Sequence, residues 1–557
     1  MSAIVLILLA IVIFVGAYLT YGKHLAKSWG IDPSRKTPAH ELRDDVDYMP
    51  AKPAVLMGHH FSSIAGAGPI NGPIQAAFFG WLPCFLWIVI GGIFFGAVQD
   101  FGSIFVSIRH EGKSLGEVIE DTMSKKCRVL FTVFAWLVLL LVVAAFADIV
   151  ANSFAGGGAN GSVATASLLF IPLAIVFGFF VYRKNAPMLV ASICGVIGLA
   201  LCVALGIMFP INLPKSVWVI VVFVYIIIAS VAPVWILLQP RDYLSSFLLY
   251  FMMAAAVIGI VGANPTIITP AFIGLNVNGN FIFPVLFITI ACGAISGFHS
   301  LIGSGTTSKQ LDNEKDALLI GYGSMLIECV LAVISLITVA TLSADGSQAG
   351  AQAVIGTETI SPTIIFGTAI SQFFAQMGFS QTAVTITYTV ISLAVSCFCL
   401  TSLDTATRLG RFMFQELFAK KKDGTENILS NMYVSTIITV IAAGLLTLAG
   451  YTKIWPLFGA CNQLVAVPAL LALATYLKKI GKKSSALYFP IIFMSVATLT
   501  SLAMTFKKNL DGILGGGLEG TAMFTNVLQN VIIVPIVILA VILIVDGFKV
   551  LFVKKQA

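Results

Sequence analysis

Residues 58–73, GHHFSSIAGAGPINGP, place His59, His60, Ser62 and Ser63 directly before a run of glycines that contains Pro69 and Pro73. Imidazoles and hydroxyls can bind a polar solute, and histidine also exchanges protons near neutral pH. Gly66, Gly68 and the two prolines work against a continuous helix and free backbone groups from helical pairing. A second stretch, 293–308 (GAISGFHSLIGSGTTS), repeats the theme with His299 and Ser300. His60 and His299 stand 239 positions apart, and Gly66 and Gly305 keep that offset. Two inverted repeats, each contributing one interrupted helix, would give this pattern. The amides of 62–70 and 300–306 would then face an anionic group, as helix N-termini do.

Carboxylates at membrane depth are the second set. Asp100 follows AVQ in one apolar segment, and Glu328 sits mid-span in SMLIECVLAV. A charge so placed must be protonated, paired or hydrated. Asp148 and Asp404 lie nearer the ends of apolar segments. Around Asp404 the sequence TSLDTAT clusters hydroxyls, so Thr401, Ser402, Asp404 and Thr405 form a candidate site for a hard cation such as Na⁺. Helix-bonded hydroxyls are the plainer alternative there. His59, His60 and His299 could hold a metal only if a broken helix aimed them together, since adjacent histidines on a helix diverge by about 100°; no resident metal or cofactor is expected. The nine cysteines make no C-x-x-C pair and read as small packing residues. No Walker motif is present.

The elements that position these groups must be membrane helices. Of 557 residues, 58% are hydrophobic and 10% charged, against about 25% charged in soluble proteins. That balance excludes a soluble enzyme and a nucleic-acid-binding domain. Apolar segments of about 20 residues recur from 3–21 to 527–548, about fifteen in all, with 362–378 read as a shorter stretch that does not cross. Residues 3–21 read as a retained first helix and not a cleaved signal. With the N-terminus outside, 28 of the 32 Lys and Arg residues fall in inner loops, including 22–53, 109–128, 238–242 and 404–430. This places the C-terminus in the cytoplasm. Residues 113–126 read as an amphipathic helix on the cytoplasmic surface. The expected architecture is all-α, a single integral membrane unit over 1–557, with C-terminal helices near 430–548.

Several stretches resemble the carbon starvation protein A family of prokaryotic membrane transporters: 47–73 (DYMPAKPAVLMGHHFSSIAGAGPINGP), GAVQDF (96–101), SLGEVI (114–119), PVWILLQPRDYL (233–244), 295–317 (ISGFHSLIGSGTTSKQLDNEKDA), TSLDTATRLGRF (401–412) and WPLFGACNQLVA (455–466). The resemblance implies a family core near 47–412, a leucine-transporter-type fold, and uptake of peptides or pyruvate under carbon starvation, in the inner membrane, by symport with H⁺ or Na⁺. On that basis His59, His60, Ser62, Ser63, Gly66, Gly68, His299 and Ser300 are candidates to bind substrate. Asp100, Glu328, Thr401, Ser402, Asp404 and Thr405 are candidates to couple ions. The expected partners are a small-molecule or peptide substrate and the lipid membrane, with no nucleic acid. A metal-dependent membrane enzyme and a nutrient sensor or structural subunit are the rival classes.

Overall fold

The computed structural model describes residues 1–44, 48–156, 158–184, 186–233, 236–355, 361–418, 427–448, 450–515 and 520–553. Asp47, Val234 and Trp235, which belong to two of the motifs above, lie outside them. Apart from one two-residue β pair, the regular structure of the described residues is helical. Among the described residues, eleven helices are long and apolar enough to cross a membrane, and Lys215–Val231 and Met432–Thr447 are shorter apolar helices. The chain is all-α and polytopic. Burial runs as a bilayer demands: large apolar side chains such as Leu189, Ile197, Leu201 and Ile220 are exposed on the outside. Inside, Asp100, Glu328, Arg241 and Asn462 are enclosed.

The helices used below are α1 (Ala3–Trp29), α2 (Pro53–Ile64), α3 (Gly68–Ala76), α4 (Trp81–Ile108), α5 (Leu115–Thr122), α6 (Lys125–Phe154), α7 (Lys215–Val231), α8 (Leu238–Ala263), α9 (Ile282–Thr289), α10 (Gly297–Gly305), α11 (Glu314–Leu342), α12 (Pro362–Gln376), α13 (Gln381–Leu417) and α14 (Tyr451–Lys479). The first interruption separates α2 from α3 at residues 65–67, inside the Gly/Pro-rich stretch. The second separates α9 from α10, through a single turn at Ala291–Ala294 and extended backbone at Ile295 and Ser296. This corrects the expectation of free amides at 300–306. Those residues, up to Gly305, continue α10, because the break falls where Gln99 and Asn462 can bond the released backbone. His60 precedes its break and His299 follows its own, so the shared 239-residue spacing does not align the two interruptions.

Small residues let the two broken helices touch. A Cβ on Gly68 would lie 2.4 Å from the Cys292 side chain, and one on Gly72 would lie 2.6 Å from the Thr289 carbonyl oxygen. At Gly297 the fit is tighter: a Cβ would stand 2.1 Å from the Asn462 carbonyl oxygen and 2.7 Å from the Ala466 nitrogen, both on α14. Gly297→Ala therefore lowers stability by about 1–3 kcal/mol or more, the usual cost of overpacking. Gly305→Ala, whose Cβ would meet only Leu409 at 3.7 Å, is tolerated. Thermal melting of the two purified variants checks this contrast.

Three segments differ from their sequence reading. α13 continues to Leu417, so most of the expected inner loop 404–430 that is described is helix. Hydropathy falls there, yet backbone pairing continues. Residues 238–242 are the first turns of α8 and not a loop, and Arg241 and Asp242 are buried. Residues 115–122 do form the amphipathic helix α5, but its apolar face, Leu115, Val118 and Ile119, is buried. It packs on α6, α14 and α10 instead of a lipid surface. α12, within the stretch read as not crossing, is a 15-residue helix packed against α13, α8 and α11.

Contacts sort the connecting segments into two ends. Arg109 joins Glu314, with Nε 3.1 Å from Oε1, and donates to the Gly30 carbonyl at 2.9 Å. Asn313 donates to the Pro33 carbonyl, and Ala51 to that of Gln310. The basic segments 22–53, 109–128 and 306–317 thus gather at one end. At the other, Ile267 donates to the Met1 carbonyl.

Candidate functional site

Two buried charge clusters and one polar cavity lie around the broken helices. The first cluster joins α4, α10 and α11. His299 Nδ1 is 2.9 Å from Asp100 Oδ2, and its Nε2 is 3.5 Å from Glu328 Oε2. All three side chains are sealed from solvent. Neither Glu328 oxygen has a hydrogen-bond partner within this geometry. One imidazole is thus shared by two carboxylates. Such a set carries at least one net negative charge unless it takes an extra proton, and an uncompensated charge in low dielectric is costly.

The second cluster joins α2, α7, α8 and α13. The Arg241 guanidinium donates to Asp404 and to the Tyr225 hydroxyl. It also approaches Thr401 Oγ1 at 3.2 Å and Asp242 Oδ1 at 3.5 Å. Tyr225 donates to Asp404 Oδ2 at 2.8 Å. Asp242 faces His59 with its other oxygen, 3.6 Å from Nδ1. Asp404 is therefore a buried residue in the interior of a long helix. Of the four residues expected to hold a small cation, Asp404 and Thr401 contact the guanidinium, while Thr405 lines the cavity and Ser402 stands against the first break.

Polar side chains also stitch the second break. Asn462 Oδ1 accepts from the Phe298 amide at 2.8 Å, and its Nδ2 donates to Ser296 Oγ at 3.0 Å. Gln99 donates to the Ser296 carbonyl at 2.6 Å, and Gln463 to that of Phe287 at 2.9 Å. At the first break, Gly66 abuts Ser402, whose Oγ would be 2.8 Å from a Cβ there. Ser402 Oγ and both amide atoms of Asn71 are buried without hydrogen-bond partners. His60, on α2, bonds Thr307 Oγ1 at 2.8 Å and so ties the first broken helix to the segment after the second.

The cavity, about 260 Å³, is lined by His59, Ser63, Asp242, Lys309, Thr405 and Arg408, together with apolar residues such as Leu238, Ile302 and Phe412. Of the residues singled out from sequence as substrate ligands, His59 and Ser63 line it. The hydroxyls of Ser62 and Ser63 bond back to the His59 carbonyl, and that of Ser300 to the Gly297 carbonyl. Gly66 and Gly68 serve helix contact. His299 belongs to the first cluster. His59, His60 and His299 face Asp242, Thr307 and Asp100 separately, and among the described residues no three His, Cys, Asp or Glu side chains are grouped to hold a metal. Asp148 pairs with Lys215 at 2.8 Å, away from both clusters. Sequence reading missed Tyr225, Arg241, Asp242, Gln99, Asn462 and Lys309. Their signals were the Arg-Asp pair opening an apolar run and the amides within spans.

A membrane-spanning bundle whose interrupted helices enclose charge clusters and a polar cavity has the build of a membrane transporter. Comparison with known proteins agrees. The chain belongs to the carbon starvation protein CstA family, whose model matches residues 2–361 and 346–501. It is 36% identical over 570 residues to the peptide transporter CstA of Campylobacter jejuni, covering 89% of this chain and 79% of that one. It is 32% identical to the pyruvate/proton symporter BtsT of Escherichia coli, covering 90% and 81%. Among solved structures, a manganese transporter of Eremococcus coleocola superposes with a TM-score of 0.53 at 12% identity, covering 91% of this chain and 99% of that one. That likeness shows a shared fold. The relatives' names support a transport role in carbon starvation over the rival enzyme and sensor readings.

Proposed function

We propose that this protein imports a small solute bearing a carboxylate, a peptide or pyruvate, by symport with protons. The relatives named above transport these substrates. The carrying observation is the pairing of the cavity with the sealed Asp100–His299–Glu328 set, whose His299 lies on α10, the broken helix that also lines the cavity through Ile302 and Gly305. Lys309 and Arg408 line the cavity, supply positive charge and hold the carboxylate. His59 and Asp242, which also line it, add a donor and an acceptor. The acid–imidazole–acid set takes a proton where water reaches it and is neutral enough to be occluded only once protonated. Rocking of the broken helices would then expose cavity and proton set to one side at a time. The membrane is the prokaryotic inner membrane, with the basic end of the bundle in the cytoplasm and the N-terminus outside. No resident cofactor takes part in this reading.

The test uses proteoliposomes containing this protein alone. Labelled pyruvate and a labelled di- or tripeptide are each offered under an imposed proton gradient, then under a sodium gradient. Accumulation of one of them above equilibrium under the proton gradient is expected. Folded protein that moves neither, or that accumulates only under the sodium gradient, overturns the proposal.

A further inference from the structure

The second cluster has an unusual donor set. Around one guanidinium it gathers a carboxylate oxygen of Asp404 and the Tyr225 hydroxyl at one terminal nitrogen, and Thr401 Oγ1 and Asp242 Oδ1 at the other, from three helices. Carboxylates and hydroxyls at close quarters suit a hard cation. The group at their centre is the Arg241 guanidinium, 1% exposed and reached by both carboxylates. A guanidinium stays charged at any physiological pH and cannot leave. The cluster is also mechanically central. α7, α8 and α13 meet there, and Asp242 continues to His59 on the first broken helix and on the cavity wall.

We infer that Arg241 is a tethered cation: it fills an oxygen cage that would otherwise require an alkali metal ion, and so removes sodium from the transport cycle. A dissociable ion in this cage would tie the packing of α8 and α13 to the outside sodium concentration. The fixed guanidinium holds the helices together in all states and leaves the proton set on α4, α10 and α11 as the dissociable charge. The inference rests on the transport reading for its role in coupling. The cage itself is independent of that reading, because binding of a cation can be followed without transport.

The experiment has two readouts. In proteoliposomes at fixed pH, wild-type uptake is the same in sodium as in N-methyl-D-glucamine. Arg241→Ala loses about tenfold or more of its uptake in N-methyl-D-glucamine and regains part of it with sodium or guanidinium, an effect in the usual range for site-to-site coupling. In detergent, sodium raises the melting temperature of Arg241→Ala by about 5 °C and leaves the wild type unmoved, since a ligand stabilises only a protein that binds it. The paired variant Arg241→Ala/Asp404→Asn removes one charge of each sign, keeps a fold when the single variant does not, and is expected to respond to sodium less. Saturable sodium dependence of wild-type uptake overturns the inference. So does Arg241→Ala with full uptake in N-methyl-D-glucamine, or a folded Arg241→Ala that neither sodium nor guanidinium stabilises. Wild type that transports nothing would instead defeat the transport reading, and the melting shift would still judge the cage.

Discussion

Glu328→Gln is expected to uncouple uptake from the proton gradient. Symport of one proton per solute lets a gradient of two pH units hold up to about 100-fold accumulation, because each unit is worth a factor of ten. Glutamine has the size of glutamate but cannot take up or release a proton. The variant should therefore bring internal and external solute to equal concentration and no further, while exchange of labelled for unlabelled solute continues. The substitution is mild for folding: neither Glu328 oxygen is hydrogen-bonded, and the nearest charge is His299 Nε2 at 3.5 Å. His299→Ala would be a harsher probe. It leaves two sealed carboxylates with no base between them, a loss of about 3–5 kcal/mol that confuses coupling with folding. Wild-type accumulation by Glu328→Gln would place the coupling proton elsewhere.

What makes Glu328 a good probe also made it legible in the sequence. A lone carboxylate between long apolar flanks has no local partner, so its environment must be special. The first broken helix was legible for a similar reason, since Gly66, Gly68, Pro69 and Pro73 cannot sit together in a continuous span. The union of Asp100, His299 and Glu328 was not legible. It is made by helices distant in the chain, and no local pattern carries that packing. Arg241 was hidden by position. At the start of an apolar run its charge counted with the loops, although the structure buries it. Asp404 was seen, but its partner was not, so its oxygens read as a vacancy for a free ion. The break in the second helix was placed too late because Gly303 and Gly305 drew attention. The chain actually opens at Ile295 and Ser296, where Asn462 and Gln99 can satisfy the backbone. Amides within spans leave little trace in hydropathy, and they decide that geometry.

Lys309→Met should raise the KM for an anionic substrate by about 10–100-fold, since a hydrogen bond to a charged group contributes about 1.5–3 kcal/mol and 1.4 kcal/mol is tenfold. Lys309 follows α10 and lines the cavity, and its ammonium stands 5.2 Å from the centre of the Tyr48 ring. Methionine keeps an unbranched apolar side chain of similar length and removes the charge with its contact to that ring, a loss of about 0.5–1 kcal/mol that leaves the fold intact. Lys309→Arg keeps the charge and should stay near wild type in KM. Maximal rate should change little in either variant, because the charge holds the solute equally before and after the helices move. An uncharged analogue such as methyl pyruvate separates this role from a structural one. The wild type should prefer the anion, and Lys309→Met should lose most of that preference. Arg408 is the less clean partner for the same test. It also donates to the Ala229 and Ala232 carbonyls at the end of α7, so its removal disturbs the helix as well as the cavity. Unchanged KM and unchanged preference in Lys309→Met would remove Lys309 from carboxylate binding and leave Arg408 and His59 as the cavity residues able to hold it.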